Sequence, residues 1–318
     1  MAIWKGLRVS SDEQHKFGGR HTDEKLDRLQ GYMSAYTTAL REKGFVLVYI
    51  DAFAGSGTRV EVKPTLPLFE IEGQEPETVT VPGSAKRAFA TKPPFGGMVL
   101  VEKDPGRFTA LQKLRDEYPD HKVILENADA NAVVQRLCRN TPWNGSPNSP
   151  PIRGLLFLDP YGMEVTWETI AAVAATKAID MWCFFPLMGL YRQAAREPAA
   201  IDDKKRAKLN AVLGTDEWQR EWYRPVERPT DLLGFADDDD VRVRTADVNA
   251  IEAYVQRRLE SVFKGVVLPP KRIKNPRGHP LASLFFATAN PAPKAVALAR
   301  KIASHVLNSG ISSQSRPR

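Results

Sequence analysis

Phe45-Val-Leu-Val-Tyr-Ile-Asp51, continuing as Ala52-Phe-Ala-Gly-Ser-Gly57, is an unbroken apolar run that ends on a carboxylate and turns through small residues. A run of this length without polar alternation is how a parallel strand reads when helices cover both faces of its sheet. Glycines at its end let the backbone come close to a ligand, and the carboxyl edge of a parallel sheet is the usual ligand position. Similar runs recur at Gly97-Met-Val-Leu-Val101, Lys122-Val-Ile-Leu125, Gly154-Leu-Leu-Phe-Leu158 and Ile179-Asp-Met-Trp-Cys-Phe-Phe185, with helix-compatible segments between them. Strands alternating with helices define an α/β class with a doubly wound, mostly parallel sheet.

Upstream, Thr22-Asp23 offers an N-cap for a helix carrying Leu26, Leu29, Met33, Tyr36 and Leu40. Downstream, a helix over 247–261 precedes strands near 262–268 and 281–287, and a closing helix follows Pro291. Two stretches break the rhythm. Residues 58–82, with Pro64, Pro67, Pro76 and Pro82 in β-type alternation, read as an inserted loop or hairpin where a helix is expected. Residues 187–245 read as a mostly helical insertion ending in the acidic run Asp237 to Asp240, a solvated turn, and the insertion suits a lid over a substrate cleft. The organisation expected is a flexible arm over 1–20, one domain over 21–310 with insertions at 58–82 and 187–245, and a disordered tail over 311–318.

A chain of 318 residues with 42% hydrophobic content can bury a full core, and no apolar run reaches transmembrane length. The start lacks a secretory pattern, so a cytoplasmic protein is expected. Cys138 and Cys183 have no zinc or iron–sulfur spacing, and the five histidines are scattered, so no metal is expected. The net charge is +7, and residues 241–318 hold 14 Lys/Arg against 3 Asp/Glu. A basic face of this kind suits a polyanion, or is a solvated helix face.

The acids at successive strand ends are the candidate ligand contacts. Asp51 closes the first strand. Glu102 closes the second, where a carboxylate can accept both hydroxyls of a ribose. Asp129 follows the third and can meet an adenine amino group. A nicotinamide dinucleotide site fits less well, because the third glycine of its fingerprint falls at Val60, too large for close helix packing. Glu102 lies 51 residues beyond Asp51, but removing the 25-residue insertion leaves 26, near the expected spacing of about 20. After the fourth strand comes Asp159-Pro160-Tyr161-Gly162. Here the carboxylate or the Pro-linked backbone can accept a hydrogen bond from an amino group while the ring of Tyr161 stacks on a planar base. The alternative is a plain tight turn with Tyr161 packed beneath it.

Taken in order, Thr22-Asp-Glu-Lys-Leu26, Tyr49-Ile-Asp-Ala-Phe-Ala-Gly-Ser-Gly57, Gly83-Ser-Ala-Lys-Arg-Ala88, Val101-Glu-Lys-Asp104 and Phe157-Leu-Asp-Pro-Tyr-Gly162 resemble the three-Cys-motif partner protein family over about residues 20–307. The resemblance implies a Rossmann-like class I methyltransferase fold with a seven-stranded sheet in the order 3-2-1-4-5-7-6. It also implies S-adenosylmethionine as cofactor and a partner protein carrying three cysteines in a radical-SAM-like pattern. Carried over, Asp51, Phe53, Ala54, Gly55, Ser56 and Gly57 form the cofactor loop. Glu102 is the ribose contact with Lys103 beside it, Asp129 the adenine contact, and Asp159, Pro160 and Tyr161 the reaction centre, with Asp159 also against the cofactor. Asp-Pro-Tyr-Gly is also similar to the Asp/Asn-Pro-Pro-Tyr motif of amino-methylating adenine methyltransferases, with the second proline missing and the aromatic one place earlier. The expected substrate is therefore a base amino group of RNA or DNA. Tyr161 and Gly162 would touch the base. By topology, if the strand at 262–268 is parallel, the loop carrying Lys271, Arg272, Lys274 and Arg277 emerges on the cofactor edge and could grip phosphates; the alternative is a basic hairpin tip kept soluble by charge. The alternative function is a non-catalytic, cofactor-binding or scaffold partner of the three-cysteine protein.

Overall fold

The structure, a computed structural model, describes residues 20–62, 78–225, 242–274 and 278–308. Nearly all of the expected arm, the tail, the middle of the first insertion, Asp237 to Asp240 and Arg277 lie outside the described residues.

The first helix, α1 (Arg20–Leu40), starts two residues before the cap read from the sequence and feeds β1 (Val46–Asp51). The chain then leaves the sheet as an antiparallel hairpin, β2 (Thr58–Val62) and β3 (Thr78–Pro82), and returns through the short α2 (Ser84–Phe89). Two regular strand–helix units follow: β4 (Gly97–Val101) with α3 (Pro105–Asp116), and β5 (Val123–Glu126) with α4 (Ala130–Asn140). Aspartates start both helices. Asp104 accepts from the Arg107 N–H, and Asp129 from the N–H groups of Asn131 and Ala132, so each satisfies amides that an α-helix leaves unpaired. β6 (Ile152–Leu158), α5 (Trp167–Ala175) and β7 (Ile179–Phe185) complete the parallel part.

The second insertion runs through α6 (Leu187–Gln193), α7 (Asp203–Leu213) and α8 (Trp218–Trp222) into a ribbon of β8 (Tyr223–Pro225) and β9 (Arg242–Arg244). Leu209, Val212, Trp218 and Trp222 of its described part are buried in the same cluster as one sheet face. The chain ends with α9 (Val248–Val262), β10 (Val266–Val267), β11 (Lys271–Lys274), β12 (Pro280–Thr288) and α10 (Pro293–Asn308).

The sheet order is β10-β12-β7-β6-β1-β4-β5, with β12 antiparallel to β7 and the strands from β7 through β5 parallel. This is the Rossmann-like methyltransferase arrangement expected, with one difference. β11 also pairs with β12, making eight strands instead of seven. The expected strand at 262–268 shrinks to Val266–Val267, and Val262 is instead the last residue of α9.

Alternate side chains of each strand point to opposite faces, giving two cores. Ile50, Val99, Leu156, Met181 and Phe285 face α4, α5, α9 and the insertion. Leu47, Tyr49, Leu100, Phe157 and Trp182 face α1, α2, α3 and α10. On the second side, buried Arg28 of α1 donates to the Val306 and Leu307 carbonyls in the last turn of α10 and pairs with Glu24 at 3.0 Å. A guanidinium at a helix C-terminus meets both the unpaired carbonyls and the negative end of the dipole. Through Arg28, α1 is fixed along the face that carries Asp51.

Candidate functional site

The loop after β1 is pinned on both sides. Ala52 N–H donates to the Phe157 carbonyl at 3.1 Å, and Ala54 N–H to that of Val101 at 2.9 Å. Gly55 and Gly57 are both left-handed, with φ of 62° and 76°. They differ in what surrounds them. A Cβ on Gly57 would lie 2.2 Å from Leu114 Cδ2, so this glycine seats the loop on α3. A Cβ on Gly55 would meet nothing within 4 Å, so its backbone faces open space. Gly83 N–H donates to the Gly57 carbonyl at 3.0 Å and closes the hairpin at its base.

Asp51 shares the sheet face of Tyr49 and is fully buried. It accepts from Tyr49 Oη at 3.1 Å, from the Phe53 N–H at 3.3 Å and from the Ser84 side chain. Burial pushes its pKa up to about 6, partly opposed by the Ser84 and Tyr49 hydrogen bonds and helped by the nearby Asp159 carboxylate.

Asp159, just past β6, is held by a residue that sequence reasoning did not assign to the site. Lys25 Nζ reaches both carboxylate oxygens, at 2.7 and 2.6 Å, from the first turns of α1, and lies 4.3 Å from the centre of the Phe184 ring. The two side chains are 10% and 21% exposed, dry enough for the attraction to be weakly screened. Lys25 and Asp159 line a cleft of about 130 Å³ together with the expected Phe53, Ala54, Gly55, Ser56 and Gly57. Ser84 is the second unassigned contributor, and it was quoted only as part of Gly83 to Ala88. Lys25, the sixth residue of α1, was likewise quoted only as part of Thr22 to Leu26.

Glu102 and Asp129 lie further along the same edge. Glu102 is buried at the end of β4, where its Oε1 accepts from the Asp104 N–H at 2.7 Å. Asn127, also unassigned from sequence, donates to the backbone carbonyls of Glu102 and Lys103 at 2.8 and 3.1 Å and ties the ends of β4 and β5 together. Asp129 is occupied as the α4 cap, with Lys103 Nζ 3.8 Å away. With strands spaced by about 4.8 Å, the β1 loop and the β5 end are roughly 10 Å apart. On the other side of Asp159, Pro160 is buried, Gly162 half-buried and Tyr161 is 64% exposed, so the ring is not packed beneath the turn.

The expected phosphate grip is not a loop over its first part. Lys271, Arg272 and Lys274 lie on β11, whose buried residue is Ile273. β11 is three strands from β6, roughly 14 Å. Arg272 is engaged by Glu252 and by Asn249 Oδ1 at 2.7 Å. Among the described residues no group of three or more His, Cys, Asp or Glu could hold a metal ion, and no helix is long and apolar enough to cross a membrane. Both cysteine thiols are pushed by burial up to about 12, far from a reactive state.

A mostly parallel sheet with an antiparallel strand between its last two parallel ones, and a glycine loop and acids along its carboxyl edge, define a Rossmann-like fold of the methyltransferase type. No protein-family model matches the chain, and no curated protein matches it. Among solved structures it is similar to protein LPL1258 from Legionella pneumophila, at 14% identity and a TM-score of 0.47, covering 92% of this chain and 94% of that one. It is also similar to the magnesium protoporphyrin IX methyltransferase of Synechocystis with bound S-adenosylhomocysteine, at 12% identity, TM-score 0.35, and coverage of 84% and 83%. An S-adenosylmethionine-dependent methyltransferase from Clostridium acetobutylicum matches at 11% identity and TM-score 0.33, over 84% of this chain and 96% of that one.

Proposed function

We propose that the chain binds S-adenosylmethionine across the carboxyl ends of β1, β4 and β5 and transfers its methyl group to an amino nitrogen of a nucleic-acid base. The observation that carries this reading is the Phe53 to Gly57 loop, whose Gly55 backbone is left bare to open space at the sheet edge, in line with Glu102 on the next strand. A side chain at Gly55 would fill the space a ligand needs, and the acids fit the hydroxyls and amino groups of an adenosine. The roughly 10 Å from the β1 loop to Asp129 suits a nucleoside laid along the edge. Glu102 Oε1 is held by the Asp104 amide, so the carboxylate proposed to meet the ribose is fixed before binding.

The bound cofactor supplies an electrophilic methyl carbon on a sulfonium. The protein positions the acceptor and excludes water, which is most of what such a displacement requires. The exposed Tyr161 ring stacks on the base. The amino N–H is accepted either by the Asp159 carboxylate or by a backbone carbonyl of the Pro160 turn. A three-cysteine-motif protein is the proposed partner. The second reading, a non-catalytic cofactor-binding partner of that protein, is favoured by one contact: Lys25 already takes both oxygens of Asp159.

Calorimetric titration with S-adenosylmethionine and S-adenosylhomocysteine is expected to give micromolar binding that Glu102→Ala and Asp51→Ala abolish. Labelled methyl transfer to tRNA, rRNA or DNA then separates enzyme from scaffold. A folded protein that binds neither nucleoside would overturn the proposal.

A further inference from the structure

Resting on that cofactor reading, we infer that Lys25 and Asp159 form an exchangeable ion pair that recognises the zwitterionic amino-acid end of the cofactor, which removes Asp159 from the methyl-acceptor side. Three observations lead there. The cleft beside the glycine loop, at about 130 Å³, falls well short of the roughly 300 Å³ of the smallest ordinary ligand pockets, so it takes one end of the cofactor and not the whole. Its lining holds two charged side chains among the described residues, one of each sign, in direct contact. Both are largely withdrawn from water.

Charge matching then decides the occupant. A simple anion entering the cleft would draw Lys25 and strand the Asp159 carboxylate, and a simple cation would strand Lys25. Breaking a buried pair in this way is strongly unfavourable. A neutral group would leave the pair shut. An α-amino acid carries an ammonium and a carboxylate on one carbon. It can insert into the pair, its carboxylate meeting Lys25 and its ammonium meeting Asp159, so one ion pair becomes two and no charge is left alone. Ser56, Ser84 and the loop amides around it supply the remaining polar contacts. The consequence for chemistry is specific: with Asp159 on the cofactor's ammonium, the acceptor amino group is held by the backbone at Pro160 and by Tyr161.

The test is calorimetry on the full chain with S-adenosylhomocysteine and with 5′-methylthioadenosine, which has the same nucleoside and thioether but lacks the amino-acid end. Wild type is expected to prefer the former at least tenfold. Lys25→Met and Asp159→Asn should each weaken S-adenosylhomocysteine at least tenfold and change 5′-methylthioadenosine less than twofold, whereas Lys25→Arg keeps the preference. The constant affinity for 5′-methylthioadenosine shows that a variant is folded, and should Lys25→Met not fold, the wild-type ratio with Asp159→Asn and Lys25→Arg decides. Equal affinity of wild type for the two ligands, or variants that weaken both alike, would overturn the inference while leaving the cofactor site in place. Binding of neither ligand by wild type would defeat the cofactor reading and the inference with it.

Discussion

Replacing Asp51 by Asn turns a buried, strained ionisation into a measurable pH profile. A carboxylate whose folded pKa is about 6 against an ordinary 3.8 costs the folded state about 3 kcal/mol once ionised. Because the folded pKa is the higher one, the stability linked to Asp51 is fully present below pH 3.8 and is lost as pH rises through 6. Asn keeps the shape and the hydrogen bonds: its carbonyl accepts from the Phe53 N–H, and its amide donates to the Tyr49 and Ser84 hydroxyls, both of which can accept. Urea unfolding of both proteins at half-unit steps from pH 3.5 to 7.5 is therefore expected to show near-equal stability at the acid end. The variant should gain progressively between pH 3.8 and 6 and level off at about 3 kcal/mol above that. Parallel curves across this range would mean that Asp51 ionises at its ordinary pKa and is not desolvated as its surroundings indicate.

Gly57→Ala combines a left-handed backbone with a Cβ 2.2 Å from Leu114 Cδ2, and a loss of about 2 kcal/mol in unfolding free energy is expected; Gly55→Ala, with open space around it, should lose less and weaken cofactor binding more. Arg28→Met removes the guanidinium that donates to the Val306 and Leu307 carbonyls and should cost about 2–4 kcal/mol in the same assay, whereas a neutral effect would show that α10 does not depend on this contact. Cys183 should resist thiol reagents at pH 8 until urea unfolds the chain, and rapid labelling of the native protein at that position would contradict its burial and raised pKa.

The parallel sheet was legible because its strands are buried on both faces and so are written as plain apolar runs. β11 was not. Lys271-Arg-Ile-Lys274 carries one buried residue among three basic ones, and such a strand on the rim of a sheet has the composition of a loop. Val262 misled in the opposite direction: an apolar β-branched residue beside another apolar run reads as strand, but it is the partly buried last residue of α9. In the site, the loop residues and Asp159 could be read because strand ends are adjacent by topology. Lys25 could not, since nothing in one dimension says how α1 is rotated against the sheet. That rotation is fixed by distant contacts, such as Tyr32 Oη donating to the half-buried Asp180 carboxylate at 2.7 Å and Arg28 against the end of α10.

The closed base of the β2–β3 hairpin has an architectural consequence. Gly57 and Gly83 already touch through one hydrogen bond, and a Cβ on Gly83 would come within 2.9 Å of the Gly57 carbonyl oxygen. The whole excursion thus leaves and re-enters the fold at a single point. A splice that joins these two positions through a short turn would hand β1 directly to α2 with almost no displacement of either, and a foreign segment grafted there would be carried as a detachable outgrowth at the rim of the cleft.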